Sequence, residues 1–327
     1  MSNLNKKKLD AIASFWRQAK TASFIGIGNI RIAYVNIVKD PQLPTIVIST
    51  GRSESYLKYQ ELAYDLSAMG YNIFIHDHRG QGLSQRMLSN THKGYVEYFD
   101  HYADDLATFI TNEVQPNITN KSISILAHSM GSAITLRMLQ RHSISITSAI
   151  LASAMIAINF GKTPYWLAKT IIHVGHCMNR MATVEPWYFP GHKNYQPALF
   201  TNNPLMGCST RFERFINLYQ QESTLQLGGV TFHWLAQALQ ANQHIFRELT
   251  NIKTPVFILQ AANDVIVDNQ AQNIFCQQLH QLYPQLCAHK PRVFNDARHE
   301  LLFEQEYIRE DVLAYIHQCL TTTDTGS

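Results

Sequence analysis

Ser129 stands between a short β-branched run, residues 122–126, and a helix-forming run, residues 130–141, with the small residues Ala127 and Gly131 on either side. A strand that turns sharply into a helix over small residues presents a serine hydroxyl on a strained corner. This is the G-x-S-x-G arrangement, here with Ala127 in place of the first glycine. A hydroxyl becomes an effective nucleophile only when a histidine takes its proton and a carboxylate fixes that histidine's tautomer. Two later segments supply these groups in the order serine, acid, histidine. Asp264 ends Gln260-Ala-Ala-Asn-Asp264 directly after a buried-type strand, and His299 ends Asp296-Ala-Arg-His299 after a shorter one. Loops beyond the carboxyl ends of parallel strands are where such sheets place their chemistry.

Each assignment has a plainer competitor. A serine at a helix start is also an ordinary N-cap, but Asp264 and His299 in order behind their own strands weigh against that. Asp268 lies in the same loop as Asp264, and Asp264 is preferred because it sits nearer the strand end. His128 neighbours the serine in sequence, yet on the turn itself its ring is poorly placed to reach Ser129 Oγ. Acyl transfer also needs two backbone N–H groups to hold the developing oxyanion. Met130, at the helix N-terminus, is one candidate. The other is Arg52, in the loop Ser49-Thr-Gly51-Arg52-Ser-Glu-Ser, where Gly51 lets the backbone turn in closely. The Arg52 guanidinium could separately meet a phosphate. Asp77 and Arg79, in His76-Asp-His-Arg-Gly-Gln-Gly-Leu-Ser84, are read as a structural pair bracing these loops.

These groups require a scaffold of alternating strands and helices. From Pro44 the chain reads strand 45–49, helix 59–69, strand 72–76, helix 102–114, the strand and helix around Ser129, and strand 148–152; it resumes with strand 254–260, helix 274–282, strand 292–294 and helix 307–320. Such alternation means an α/β fold, a mostly parallel central sheet with helices on both faces. Phe24 to Val38 precedes it as a hairpin turning at Gly28-Asn29. Residues 155–250 interrupt it without a convincing strand. Two apolar stripes run there, Leu167/Ile171/Val174/Met178/Met181 and Phe232/Leu235/Leu239/Phe246/Leu249, so an inserted helical cap is expected. The stripes are expected chiefly to pack the cap onto the body, and Trp166, Trp187 and Trp234 are candidates to line an acyl site or rest on a membrane. The expected organisation is an N-terminal helix over 1–20, a sheet domain over 21–154 and 251–320, the cap over 155–250 and a frayed tail over 321–327.

Composition narrows the class. Charged residues are 16% and apolar ones 46%, which fits a packed globular protein rather than a disordered one, and a net charge of +3 without a Lys/Arg stripe excludes a nucleic-acid partner. Five scattered cysteines without a C-x-x-C pair favour a reducing compartment and no disulfide framework. His173 and His176 have metal-like spacing but no second ligand pair, and Gly26-Ile-Gly28 lacks the third glycine of a dinucleotide loop, so no metal and no organic cofactor is expected. The basic start, Lys6-Lys-Lys8, precedes no apolar run of secretory type. The expected location is cytoplasmic, at most peripheral on the inner membrane.

Five segments together carry a resemblance: Thr50-Gly-Arg-Ser-Glu-Ser55, Asp77-His-Arg-Gly-Gln-Gly-Leu-Ser84, Ala127-His-Ser-Met-Gly131, Asn263-Asp264 and His299-Glu-Leu-Leu-Phe-Glu304. In this order over roughly residues 20–320 the chain resembles the monoacylglycerol-lipase-like serine α/β-hydrolases. Within them it is most similar to the bacterial lysophospholipases that associate with the inner membrane. The resemblance implies an α/β-hydrolase fold, hydrolysis of the remaining acyl ester of a lysophospholipid without cofactor, and acyl transfer to another lipid as a side reaction. It implies Ser129 as nucleophile, Asp264 as acid and His299 as base. Monoacylglycerol lipase, small-ester esterase, thioesterase, or a non-catalytic membrane scaffold on the same fold are the alternatives. Two departures, Ala127 and the Thr50-Gly51 that replaces the usual His-Gly, bear on the turn and on the oxyanion site's outer contacts.

Overall fold

The computed structural model describes residues 6–324. Its frame is one eight-stranded sheet in the order β1-β2-β4-β3-β5-β6-β7-β8. β1 (Lys20–Gly26) and β2 (Ile30–Ile37) form the expected hairpin, and β2 runs antiparallel to β4 (Asn72–His76). All later pairings are parallel: β3 (Thr45–Ser49) lies between β4 and β5 (Ile123–His128), followed by β6 (Ser148–Ala152), β7 (Val256–Ala261) and β8 (Arg292–Phe294). β3 to β6 are buried along their whole length. This is why they read as continuous β-branched runs rather than as alternations.

Successive side chains nonetheless feed two separate cores. Val47, Phe74, Ile125 and Leu151 face one side, with α3 (Asp100–Phe109), α4 (Met130–Arg141) and α8 (Asn269–Leu282). Ile46, Ile48, Ile73, Leu126 and Ile150 face the other, with α2 (Gln60–Ala68) and α9 (Glu306–Asp324). α1 (Lys6–Trp16) docks on that second side through Ile12 and Phe15, the latter edge-on to Tyr64, while Lys8 reaches Glu61 at 3.4 Å. Its apolar face is therefore covered by the body.

The inserted region contributes α5 (Tyr165–Ala182), α6 (Ser209–Gln221) and α7 (Phe232–Arg247). Between these helices the chain is largely irregular, and its only pairings with strand geometry among the described residues are isolated bridges, Ile158 with Val267 and Tyr188 with Thr231. α7 is stapled to the sheet domain. Asn242 donates to Met155 O, Gln140 to Ile245 O, and Leu239 and Ile245 join the first core.

Three expectations need correcting. The α5 stripe does not pack inward: Ile171, Val174, Met178 and Met181 are 40%, 52%, 57% and 89% exposed. The opposite face, Ala168, Ile172 and Asn179, is the buried one, and Gly175 on it allows the approach to α7. Asp77 and Arg79 do not pair. Arg79 forks onto Asp105 at 2.6 and 2.7 Å, while Asp77 accepts from Tyr56 N, Ser55 Oγ and Leu83 N. α9 continues through Asp324, so the first part of the expected tail is helical; residues 325–327, like 1–5 of the N-terminal segment, lie outside the described residues.

Candidate active site

The turn between β5 and α4 places Ser129 at φ 52°, ψ −115°, in the region that L residues rarely adopt. The strain is held by backbone bonds. Ser129 N donates to Ala152 O, and Ser129 O accepts from Ser132 N and Met155 N. Gly131 is required by packing, since a Cβ there would collide with the Ser49 carbonyl. Ala127 sits inside the sheet, fully buried and in register between Ser49 and Leu151, where a methyl group fits. Ser129 makes no side-chain capping bond to its helix. Its Oγ lies instead 2.9 Å from His299 Nε2.

His299 follows β8, and its Nδ1 lies 2.8 Å from Asp264 Oδ2 in the loop after β7. The other Asp264 oxygen accepts from Ile266 N and Val267 N at 2.8 and 3.1 Å. Burial works against this carboxylate's charge, but the His299 bond and the two amides prevail and hold its pKa below the ordinary value. Asp268 serves the helix instead, its Oδ1 accepting from Gln270 N and Ala271 N to cap α8. Ser129, His299 and Asp264 thus form a continuous chain of hydrogen bonds, each member on a different loop at the carboxyl ends of the strands. An acyl carbonyl brought to Ser129 could be attacked while the imidazole takes the proton.

The loop after β3 borders the same site. Among the described residues the Arg52 N–H has no hydrogen-bond partner, and Met130 occupies the first turn of α4, where N–H groups lack intrahelical acceptors. Both are available to an oxyanion. Gly51 N is not, because Glu54 Oε2 accepts from it. Gln81 Nε2 donates to Gly51 O at 2.8 Å and to Glu54 O at 3.0 Å, and His78 Nε2 to Thr50 O at 3.0 Å. Burial lowers the His78 pKa to about 4, so its ring is neutral.

Beneath this loop lies a buried ionic cluster. Lys58 Nζ bridges Glu54 and Glu300 at 2.5 and 2.7 Å, Tyr59 donates to Glu54, and His128 reaches Glu54 through Nδ1 and the His299 carbonyl through Nε2. Burial raises the Glu54 pKa and lowers that of His128, but their attraction and that of Lys58 and Glu300 reverse both effects. Glu54 ends well below, and His128 above, its ordinary value. Glu54, His128 and Glu300 are close enough to hold a cation, and the Lys58 ammonium already fills that role. His128 therefore steadies the His299 loop, its ring nitrogens being engaged by Glu54 and the His299 carbonyl rather than by Ser129 Oγ. Glu54 and Gln81 escaped the sequence reading; the only signal was their presence in the motifs around Gly51 and Gly80-Gln-Gly82.

Ser129, His299 and Arg52 open onto a cavity of about 430 Å³. Its walls are mostly apolar: Met155 and Val265–Val267 from the sheet domain, Phe160, Phe189, Val230, Trp234 and Leu235 from the cap. Of the three candidate tryptophans, only Trp234 lines it; Trp187 and Trp166 are 38% and 68% exposed. A mixed wall of this size accepts an acyl chain with one polar end.

The chain is similar to known proteins in sequence and in fold. A family profile described as serine aminopeptidase, S33, matches residues 40–306. The chain is 35% identical over 302 residues to lysophospholipase L2 of Escherichia coli (strain K12), covering 92% of this chain and 87% of that one. It is 32% identical to the probable lysophospholipase L2 of Haemophilus influenzae, over 95% of each. In fold it is similar to a soluble variant of monoglyceride lipase from Saccharomyces cerevisiae in complex with a substrate analog, with a TM-score of 0.71, 16% identity and coverage of 93% and 94%.

Proposed function

Since the chain belongs to the serine hydrolase family described as serine aminopeptidase, S33, we propose that it is a carboxylic ester hydrolase of the lysophospholipase type, removing the single acyl chain of a lysophospholipid. The observation that carries this reading is the Ser129–His299–Asp264 chain of 2.9 and 2.8 Å bonds at the floor of an apolar cavity. The relatives named lysophospholipase L2 favour an ester over a peptide substrate, and the cavity wall, apolar where an acyl chain would lie, favours it too.

In this reading Ser129 Oγ attacks the acyl carbonyl as its proton passes to His299 Nε2. Asp264 holds the Nδ1–H and stabilises the imidazolium. The oxyanion is received by the N–H groups of Arg52 and Met130. Preorganised donors of this kind are worth about 3–4 kcal/mol each to such a transition state. Collapse expels the glycerophosphoryl alcohol, protonated by His299, and leaves the fatty acyl group on Ser129. Water, activated by the same histidine, then releases the fatty acid. Every step is served by groups of the chain itself, without a cofactor.

The enzyme's second contact is a lipid surface. No helix among the described residues is long and apolar enough to cross a membrane. The outward face of α5, with Trp166, Ile171, Val174, Met178 and Met181 exposed and Lys162, Lys169 and Arg180 nearby, suits a peripheral contact with the cytoplasmic face of the inner membrane.

The test is a substrate panel of lysophosphatidylethanolamine, monoacylglycerol and a p-nitrophenyl ester, run on the wild type and Ser129→Ala. Expected are fatty-acid release from the lysophospholipid by the wild type and its loss by a factor of about 10⁵–10⁶ in the variant. Full activity in Ser129→Ala, or a wild type confined to monoacylglycerol, overturns the proposal.

A further inference from the structure

Among the described residues, four arginines withdrawn from water are matched by carboxylates. Arg79 pairs with Asp105, Arg137 with Asp100 and Glu248, Arg211 with Glu61 and Glu306, and Arg309 with Asp65. Arg52, largely withdrawn as well, is not. Its Nη2 donates to Gly228 O and Gly229 O, both at 2.8 Å, and its Nη1 to Ser53 Oγ at 3.0 Å. The guanidinium stacks 5.2 Å from the Trp234 ring. Its Nε is buried without a partner among the described residues. All these neighbours are neutral, and neutral dipoles do not cancel a buried charge.

The nearby acids are committed elsewhere. Glu54 is held by Gly51 N, Lys58, Tyr59 and His128, Glu300 by Lys58, and Glu185 by Ser89 and Lys93. His192, also in the cavity wall, accepts from Val230 N through Nδ1; burial and then the Arg52 charge push its pKa down, so it remains a neutral neighbour. Burial lowers the Arg52 pKa to about 10, which leaves it cationic at neutral pH. Within the described residues a cation matched by no carboxylate thus stands among the residues that line the cavity containing Ser129.

We propose that the Arg52 guanidinium is the phosphate-binding group of the substrate site, and that it sets a preference for phosphodiester-bearing single-acyl lipids over neutral ones. The inference rests on the ester-hydrolase reading and deepens it. A planar guanidinium suits phosphate oxygens in both shape and charge, and in a site with little water the pairing is far stronger than at a surface. The placement also fits the substrate. The phosphate of a lysophospholipid lies one glycerol unit from the ester, and the Arg52 side chain springs from the loop whose N–H is the candidate oxyanion donor. Arg52 would then use its backbone for the reacting carbonyl and its side chain for the headgroup.

The experiment compares kcat/KM for lysophosphatidylethanolamine and for monoacylglycerol of the same acyl chain, both in neutral mixed micelles, using the full chain and its Arg52→Gln and Arg52→Lys variants. The ratio of the two constants is expected to fall at least ten-fold in Arg52→Gln, mainly through KM, and to be partly restored in Arg52→Lys. A ratio unchanged in Arg52→Gln, with both activities falling together, reduces Arg52 to a structural role and overturns the inference. If the variants do not fold, inhibition of the wild type decides. Glycerophosphoethanolamine should compete with the lysophospholipid and glycerol should not; equal effects of the two overturn the inference. A wild type with no activity on any single-acyl phospholipid defeats the functional reading itself, which is a distinct result.

Discussion

At the scale of single residues, the two aspartates of the loop after β7 make the sharpest contrast. They lie four positions apart, yet Asp264 holds His299 and Asp268 caps α8. Asp264→Asn removes the charge that fixes the imidazole tautomer, so kcat should fall about 10³–10⁴-fold with the fold intact. Asp268→Ala should leave kcat within two-fold and lower stability by about 1 kcal/mol, the loss of one N-cap. Steady-state kinetics and thermal melting of the two variants separate the roles, and the reverse pattern would show the assignment inverted. This pair was legible in the chain because distance from a strand end is a sequence property. The cluster of Glu54, Lys58, His128 and Glu300 was not, because ion pairs between residues up to 242 positions apart leave no local pattern. That cluster makes a pH prediction. The His128 pKa is raised above 6.5, so its charge stabilises the folded state fully below 6.5 and ceases to do so as pH rises through the raised value. The Glu54 pKa is lowered below 4.5, so its contribution is present above 4.5 and lost as pH falls through the lowered value. The difference in Tm between the wild type and His128→Gln should accordingly be largest near pH 6 and shrink toward pH 9. A difference that does not vary with pH would mean that His128 is neutral in the folded protein.

At the scale of elements, β-branched runs marked β3 to β6 almost to the residue, since a buried parallel strand has little else to be made of. α5 was harder. It carries two helical stripes, a large apolar one through Ile171, Val174 and Met178, and a small one through Ala168, Ile172, Gly175 and Asn179. Hydrophobic periodicity picks out the first, yet the second is the one that packs. The reason is distance. At Gly175, α5 lies so close to α7 that even a Cβ would collide with the Phe232 ring. Gly175→Val should therefore force the helices apart and destabilise the cap by about 1–3 kcal/mol, as overpacking does. Because Phe232 sits at the start of α7, which carries Trp234 and Leu235 into the cavity, the same change should also raise KM for the lipid. Calorimetry and kinetics on the one variant check both; an unchanged melting profile would mean that the two helices can separate freely.

At the scale of the whole molecule, the two amphipathic helices α1 and α5 are not equivalent. α1, for all its basic start and apolar spacing, spends Ile12 and Phe15 on the sheet domain and Lys8 on Glu61. α5 leaves its large apolar face in water, where an isolated soluble protein gains nothing from it. The segments on either side of α5 supply Phe160 and Phe189 to the cavity, so a surface resting on α5 would bring lipid next to the entrance of the site. Each apolar side chain transferred from water into lipid contributes about 1–2 kcal/mol, so three or four of them suffice for reversible adsorption and fall well short of permanent insertion. The double variant Ile171→Asp, Met178→Asp should then lose at least ten-fold in co-sedimentation with anionic vesicles. Its activity on lysophospholipid presented in those vesicles should fall in parallel, while hydrolysis of a short-chain soluble ester changes less than two-fold. An α1 variant such as Ile12→Asp should behave oppositely, lowering the melting temperature by burying a charge without selectively weakening vesicle binding. If instead the α5 variant binds vesicles as the wild type does, the exposed face serves something other than lipid, and the cavity must draw its substrate from solution.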